Sequence, residues 1–159
     1  MNPIALMFAV IVFVIFLAAG IIFGLGLVHS GGAGALVGDI TTIQGDAQQT
    51  FGIQGNYAGI SGSQNVIPKG LQGSTPIGGT FALASASAGL PAYEYQVEVN
   101  GINIGPHECV KIVAEEADIS TEVNGAAVGN SNGSPSGAQA STACANGATS
   151  LAFVFGNNQ

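Results

Sequence analysis

The sequence contains no arginine and no tryptophan, and Lys69 and Lys111 are its only cationic side chains apart from two histidines. Charged residues make up 7% of the 159 positions, against roughly 25% in an ordinary soluble protein, and the net charge is −7. Binding to nucleic acid requires clustered Lys and Arg, and so does polybasic attraction to an anionic membrane surface. The composition therefore argues against both, and we expect no nucleic-acid partner.

Recognisable catalytic constellations are absent as well. His29 and His107 do not have metal-ligand spacing, and there is no Gly-rich phosphate loop. His107 and Cys109 could be taken for a dyad, but a Cys109 held in a disulfide has no thiolate to offer. Glu115 and Glu116 would point about 100° apart on a helix and do not form a carboxylate pair. We expect no catalytic residue, no metal and no cofactor, so the sequence predicts a protein that is not an enzyme.

An uncharged apolar segment opens the chain. Residues 3–28 carry no charged or polar side chain and would form a helix roughly 40 Å long, enough to span a bilayer. Gly20 and Gly24 form a small-xxx-small pair that allows close helix packing. We therefore divide the chain into an apolar membrane or filament-core helix, residues 1–28, and an extracellular head with its hinge and amphipathic helix, residues 29–159.

The flanks of this segment are informative about processing. A secretory signal peptide has a basic start and a shorter apolar core, and an ordinary anchor usually has Lys or Arg on its cytoplasmic side. Only Met1 and Asn2 precede the segment. We expect that a basic leader has been removed ahead of Met1; cleavage near the small residues 31–35 is the alternative.

A second helical pattern follows the hinge. Its apolar residues recur at three- and four-residue spacing, which predicts one buried face: Leu36, Ile40, Ile43, Ala47 and Thr50 or Phe51. Asp39 and Asp46 are seven positions apart and share another face, which either is solvated or meets a neighbouring subunit. Gly55 and Asn56 predict a left-handed cap and a turn at the helix end.

The remaining chain predicts a small antiparallel sheet. Candidate strands with alternating residues are 80–87, 93–99 and 150–156. Asn100-Gly101 predicts a turn, and Pro106 begins a short helix that ends near Asp118. Residues 58–78 have the composition of a loop, and residues 124–148 have that of a linker. The predicted fold class is α+β: a long N-terminal helix, apolar then amphipathic, packed on a small antiparallel sheet with a disulfide-closed C-terminal region.

That closure depends on Cys109 and Cys144, the only cysteines. In the cytosol they would be free thiols, whereas behind a membrane anchor they would form one disulfide. Closing a loop of this length stabilises a fold by about 4 kcal/mol on the chain-entropy model. We expect the disulfide.

The order of these segments resembles a type IV pilin, specifically the type IVb group that includes toxin-coregulated pilins and the pilins of conjugative thin pili. Gln49-Thr50-Phe51 followed by Gly55-Asn56-Tyr57 is similar to the QTY…GNYP segment that ends the long helix there. Asn100-Gly101 followed by Cys109-Val110-Lys111 is similar to the DGL…CK segment, and Cys144 followed by residues 153–157 is similar to the closing C…VAFGN strand.

The resemblance implies a bacterial protein that a prepilin peptidase processes at the inner membrane. Met1 would then be the N-methylated terminus, and the pilus assembly machinery would build a helical homo-oligomer that becomes an extracellular pilus. The apolar helices would pack at the filament centre through Ile4, Ala5, Phe8, Ile11, Val12, Ile15, Phe16, Gly20, Gly24 and Leu27.

The chain departs from the family at one important position. Type IV pilins usually carry glutamate at position 5, which pairs with the N-terminal amine of a neighbouring subunit, and here the residue is Ala5. The usual proline near position 22 is also missing. We expect a major pilin; the alternatives are a minor pilin or type II secretion pseudopilin, and a monomeric, membrane-anchored surface binding protein.

Overall fold

An amphipathic helix and an antiparallel sheet share one core in the computed structural model, which describes residues 32–62, 64–85, 90–115, 120–128 and 135–156. The first described helix, α1, occupies residues 32–51 and continues as a 3-10 turn over Gly52–Gln54. The predicted apolar face is confirmed, because its leucine, isoleucine and alanine side chains are fully buried: Leu36, Ile40, Ile43 and Ala47. Ala33 is buried beside them. Thr50 is exposed and Phe51 is partly buried, so Phe51 ends this face.

The end of α1 follows the prediction from Gly55 and Asn56. Gly55 has φ of 59°, and its backbone N–H donates to the Gly52 carbonyl oxygen at 3.1 Å. The Asn56 side chain accepts a hydrogen bond from the backbone N–H of Ala58 at 2.9 Å, which forms the turn. The following loop contains 3-10 turns and is anchored, because Ile60, Val66 and Ile67 are buried in the core.

The sheet has five strands in the order β1-β2-β5-β3-β4, and every pairing is antiparallel. The strands are β1 (Thr80–Ala84), β2 (Glu94–Ile104), β3 (Ser120–Val123), β4 (Ala126–Val128) and β5 (Ala148–Gly156). Tyr95, Val97 and Val99 of β2 and Leu151, Phe153 and Phe155 of β5 alternate toward the buried residues of α1, which confirms both predicted patterns.

The turn predicted at Asn100-Gly101 is wrong. Strand β2 continues to Ile104, and its register with β5 shifts between Asn100 and Ile104. Gly101 has φ of 75°, which fits a β-bulge as well as a turn. The strand continues because Ile102 and Ile104 are again buried beyond the bulge. Tyr93, assigned to this strand from the sequence, lies before it and is 48% exposed.

The region read from the sequence as a linker contains regular structure. Asn124 and Gly125 both have positive φ, as a type I′ turn requires, and they join β3 to β4 in a hairpin. A further helix, α3 (Gly137–Ala143), begins at Ser136 with a capping box: Ser136 Oγ accepts from the Gln139 N–H, and Gln139 Oε1 accepts from the Ser136 N–H.

The disulfide between Cys109 and Cys144 is present, which confirms the predicted closure. Helix α2 (Pro106–Glu115) carries Cys109, Cys144 caps α3, and their Cα atoms are 5.6 Å apart. Both cysteines are fully buried. The molecule is thus α+β, with a small antiparallel sheet and a disulfide-closed region that contains β3, β4 and α3.

Candidate functional site

The solvent side of α1 is the most distinctive surface among the described residues. Gly34, Gly38, Thr41 and Gly45 follow one another at four- and three-residue spacing, so they form one stripe, which we call the α1 stripe. All four residues are exposed. A Cβ atom added at any of the three glycines would meet nothing within 4 Å. Within the described part of the chain, therefore, no contact requires glycine at these positions.

These glycines destabilise α1. Each costs up to about 1 kcal/mol relative to alanine in a helix interior, because the unfolded chain loses more freedom on folding. What glycine provides in return is a flat helix surface that another helix can approach closely. The α1 stripe is thus suited to contact with a partner outside the described part of the chain.

The threonines beside the glycines increase this suitability. Thr41 Oγ1 donates to the Val37 carbonyl oxygen, and Thr42 Oγ1 donates to the Gly38 carbonyl oxygen, each at 2.9 Å. The two hydroxyl protons are thus used within the helix. The stripe can therefore be covered without orphaning these donors.

Asp39 and Asp46 lie next to the stripe, and both are half-buried. Burial raises the pKa of the Asp39 carboxyl above its ordinary value. The two acids share one side of α1 as predicted, and the two interpretations of that side, solvation and contact with a neighbouring subunit, remain predictions.

An aromatic row connects the end of α1 to the sheet. Ring centroids are 6.4 Å apart for Phe51 and Tyr57, 4.6 Å for Tyr57 and Tyr95, and 5.7 Å for Tyr95 and Phe155. The Tyr57 backbone N–H also donates to the Ala92 carbonyl oxygen at 2.7 Å, just before β2. Phe51 and Tyr57 belong to the motif read from the sequence, and their rings pack between the end of α1 and the sheet.

The Tyr57 hydroxyl is unusual in this row. It is buried and has no hydrogen-bond partner among the described residues, and burial raises its pKa above the ordinary value. A Cβ atom at Gly52 would lie 3.3 Å from this oxygen, so the glycine keeps space for the phenol.

The disulfide-closed region presents a second surface. An open groove of about 470 Å³ lies between β4 and α3, and most of its lining is small and apolar: Val123, Ala126, Ala127, Val128, Ala138, Gln139, Thr142 and Ala143. Its position depends on Asn124, a residue that the sequence reasoning missed.

Asn124 fastens the β3–β4 hairpin to the start of β5. Its Oδ1 accepts hydrogen bonds from the Thr149 N–H, the Thr149 hydroxyl and the Ser150 N–H, and its Nδ2 donates to the Gly147 carbonyl oxygen at 3.2 Å. The dipeptide Asn124-Gly125, flanked by Val123 and Ala126, was the sequence signal that could have revealed the hairpin.

Met1 and all ten filament-core positions, from Ile4 to Leu27, lie outside the described residues. His107 is exposed on α2, and Cys109 is oxidised, so the His107–Cys109 pair has no thiolate to serve as a nucleophile.

Two further properties concern the described part of the chain. No helix there is both long enough and apolar enough to cross a membrane. Within the same residues, no three or more His, Cys, Asp or Glu side chains are grouped so that they could hold a metal ion.

Comparison with known proteins gives no relative: no protein-family model, curated protein or solved structure matches the chain. Function must therefore be argued from the α1 stripe, the disulfide-closed region and the sequence itself.

Proposed function

We propose that the chain is a structural subunit of an extracellular filament, the major pilin of a type IVb-like pilus. The observation that carries the proposal is the α1 stripe. Gly34, Gly38 and Gly45 weaken the helix without any contact that explains them within the described chain, and close packing against helices of other copies would explain all three.

The sequence ahead of α1 supports the same proposal. We propose that the apolar residues 1–28 are the membrane and filament-core helix of this subunit, as the sequence predicts. The apolar part would lie in the bacterial inner membrane before assembly and in the filament core afterwards. A prepilin peptidase would generate Met1 as the N-methylated terminus.

The head has properties that suit a repeated surface outside the cell. Its polar side chains are mostly neutral, since charged residues make up 7% of the chain. Its disulfide requires an oxidising compartment. The solvent-facing part of the head would include the disulfide-closed region with its groove between β4 and α3.

Ala5 determines how such a filament would set its register. Without a glutamate at position 5 there is no core carboxylate to pair with a neighbouring amine, and no cost of burying one. Register would then depend on the shapes of the helices, in which Gly20 and Gly24 of the core segment and the α1 stripe permit close approach at defined places.

The proposal is tested on cells that produce the protein. Surface material is sheared from the cells, sedimented, viewed by electron microscopy and analysed by mass spectrometry. The expected result is thin filaments composed of this chain, with a peptide that begins at a methylated Met1. A chain that retains a basic leader in the sheared fraction would contradict the proposal.

One alternative has a specific observation in its favour. The groove between β4 and α3 could serve a membrane-anchored binding protein that acts as a monomer. That protein would be extracted by detergent as a monomer and would be missing from the sheared filament fraction. A minor pilin or pseudopilin would instead be recovered in small amounts with filaments made of another chain.

A further inference from the structure

Glycine and aspartate recur along α1 with the same seven-residue period. Gly38 and Gly45 of the α1 stripe are seven positions apart, and Gly52, the first residue of the 3-10 turn, follows after seven more. Asp39 and Asp46 are also seven positions apart. Because each acid directly follows a glycine of the stripe, its side chain points about 100° away from that glycine. The helix therefore carries a line of gaps and a line of acids with equal spacing.

The far end of the glycine line adjoins a hydroxyl that lacks a partner. Tyr57 is fully buried, and its hydroxyl has no hydrogen-bond partner among the described residues. A Cβ atom at Gly52 would lie 3.3 Å from this oxygen, so the phenol ends beside the space that a side chain at residue 52 would fill. Gln48 is the other side chain at this space, with its Cβ 3.7 Å from the same point, and it is exposed and free to turn aside.

An acceptor that enters from outside at Gly52 would satisfy this hydroxyl. Buried polar groups are normally hydrogen-bonded, and one without a bond destabilises the folded chain. The head by itself gives no reason for a tyrosine rather than a phenylalanine at residue 57. A partner that supplies an oxygen at Gly52 would give one.

We propose that the glycine line receives the acids of a neighbouring copy, and that the neighbouring copy's Asp46 accepts a hydrogen bond from the Tyr57 hydroxyl at Gly52. This inference rests on the proposed filament. A contact that repeats along an open polymer joins two different faces of the subunit. Because the apolar face of α1 is buried in the core, the glycine line and the acid line are the two faces of the helix that such a contact can join.

Two observations favour a second copy as the occupant. The uncharged residues 3–28 end four positions before α1 begins at residue 32, so copies held together through these residues would keep their α1 helices close. The chemistry is also complementary, because a carboxylate only accepts hydrogen bonds and the free group at Gly52 is a hydroxyl donor. A hydrogen bond to an ionised acceptor is roughly twice as strong as a neutral one.

One axial shift between parallel copies matches both lines. A shift of six residues, about 9 Å at the rise of an α-helix, sets the neighbouring copy's Asp46 level with Gly52 and its Asp39 level with Gly45. A shift of one residue in the other direction would set the acids level with Gly38 and Gly45, but it would leave Tyr57 without an acceptor. The hydroxyl therefore selects the six-residue shift, and this contact would set the register for which Ala5 provides no charge pair.

Cysteine pairs test the shift in filaments sheared from cells and oxidised with copper phenanthroline. Asp39→Cys combined with Gly45→Cys should give a ladder of covalent multimers on a non-reducing gel. Within one chain the two Cα atoms are about 9 Å apart along the helix, beyond the roughly 7 Å that a disulfide bridges. Asp46→Cys combined with Gly38→Cys is the matched control. It changes the same residue types on the same faces, but its thiols would be about 21 Å apart between copies, so we expect no ladder.

Point variants test the hydrogen bond. Tyr57→Phe and Asp46→Ala should each lower the yield of sedimented filaments about tenfold, and the double variant should lower it no further, because both changes remove the same bond. Glu108→Ala removes another half-buried acid, on α2, and should keep the wild-type yield. Tyr95→Phe removes a hydroxyl whose acceptor, the Gln44 carbonyl oxygen, is in the same chain, and should also keep it.

The outcomes separate this inference from the proposed function. If the wild-type chain forms no filaments, both fail. If filaments form but the control pair gives the ladder and the Asp39–Gly45 pair does not, or if Tyr57→Phe and Asp46→Ala keep the wild-type yield, this inference is overturned and the filament stands. Where a cysteine pair prevents assembly, the yields of Tyr57→Phe and Asp46→Ala decide.

Discussion

The side-chain oxygen of Asn124 accepts two hydrogen bonds from Thr149, one from its backbone N–H at 2.7 Å and one from its hydroxyl at 3.0 Å. Asn124 has φ of 52°, a conformation that asparagine tolerates better than most residues. One residue therefore forms the β3–β4 turn and also attaches it to the first residues of β5.

This relationship predicts the effect of removing the Asn124 side chain. Asn124→Ala loses the hydrogen bonds and must hold a positive φ, so we expect a loss of about 2 kcal/mol in the free energy of unfolding. Asn124→Gly is the matched control, because glycine keeps the turn conformation and loses only the hydrogen bonds. Chemical denaturation should show a smaller loss in the free energy of unfolding for Asn124→Gly than for Asn124→Ala. Equal losses would mean that the positive φ of residue 124 costs alanine nothing.

The disulfide predicts a larger effect. Reducing it, or replacing both cysteines with serine, frees a loop between residues 35 positions apart, and we expect a loss of about 4 kcal/mol on the chain-entropy model. The measurement is the denaturation midpoint with and without reductant. The double serine variant controls for effects of the reductant itself, because without the disulfide its denaturation midpoint should be the same with and without reductant.

The α1 stripe predicts opposite effects on folding and on assembly. Gly38→Ala and Gly45→Ala should each raise the stability of the head by up to about 1 kcal/mol, because alanine favours the helix and has open space there. Gly38→Leu and Gly45→Leu should also fold, but should reduce filament yield strongly, because the larger side chain keeps neighbouring helices apart.

Ala114→Leu is the control for these leucine variants, since it places the same side chain at an exposed position of α2. Filament yield is measured as sedimentable protein in the sheared fraction. If Ala114→Leu lowers the yield as much as Gly38→Leu does, the effect is a general one of surface hydrophobicity and the stripe is not an assembly surface.

The buried Tyr57 hydroxyl predicts that its removal does not lower the free energy of unfolding. Its hydroxyl is buried without a partner among the described residues, so Tyr57→Phe should leave stability unchanged or raise it by up to about 1 kcal/mol. The raised pKa adds a pH dependence. Because the folded state disfavours the phenolate, the pKa of Tyr57 is higher in the folded than in the unfolded chain. Below pH 10.0 its ionisation does not affect the free energy of unfolding, which then falls as the pH rises toward the folded-state pKa.

Alkaline unfolding followed from pH 9 upward tests this dependence. The wild-type protein should lose stability above about pH 10, and Tyr57→Phe should lose less. Tyr95→Phe is the comparison in the same aromatic row. Its hydroxyl has a partner, the Gln44 carbonyl oxygen at 3.5 Å, so its removal should not stabilise the protein.

The parts of the fold that the sequence predicted correctly are those with a long hydrophobic period. Four apolar residues of α1 recur over three turns, β2 alternates apolar and polar side chains, and Leu151, Phe153 and Phe155 of β5 recur at every second position. These patterns are specific because burial of one face determines the register. The disulfide followed from the compartment that the apolar segment implied.

Two of the parts that were missed, β4 and α3, consist mostly of small residues. Strand β4 has the sequence Ala-Ala-Val, and α3 is Gly-Ala-Gln-Ala-Ser-Thr-Ala, so neither contains a hydrophobic period that distinguishes it from a linker. At Asn100-Gly101, a dipeptide typical of turns forms a bulge instead, because burial of Ile102 and Ile104 keeps the chain in the sheet. Tertiary contacts, which the local sequence does not contain, decided both cases.

The α1 stripe was visible in the sequence only as scattered glycines. Its importance became apparent once the opposite face of α1 was found buried, which leaves Gly34, Gly38 and Gly45 on the solvent side.

The most direct test of the central claim is a cryo-electron microscopy reconstruction of filaments sheared from cells that produce this chain. The account predicts a helical polymer of this chain alone, with residues 1–28 at its centre and Gly34, Gly38 and Gly45 in contact with helices of neighbouring copies. A filament in which the α1 stripe faces solvent, or a chain recovered solely as a detergent-extracted monomer, would contradict it.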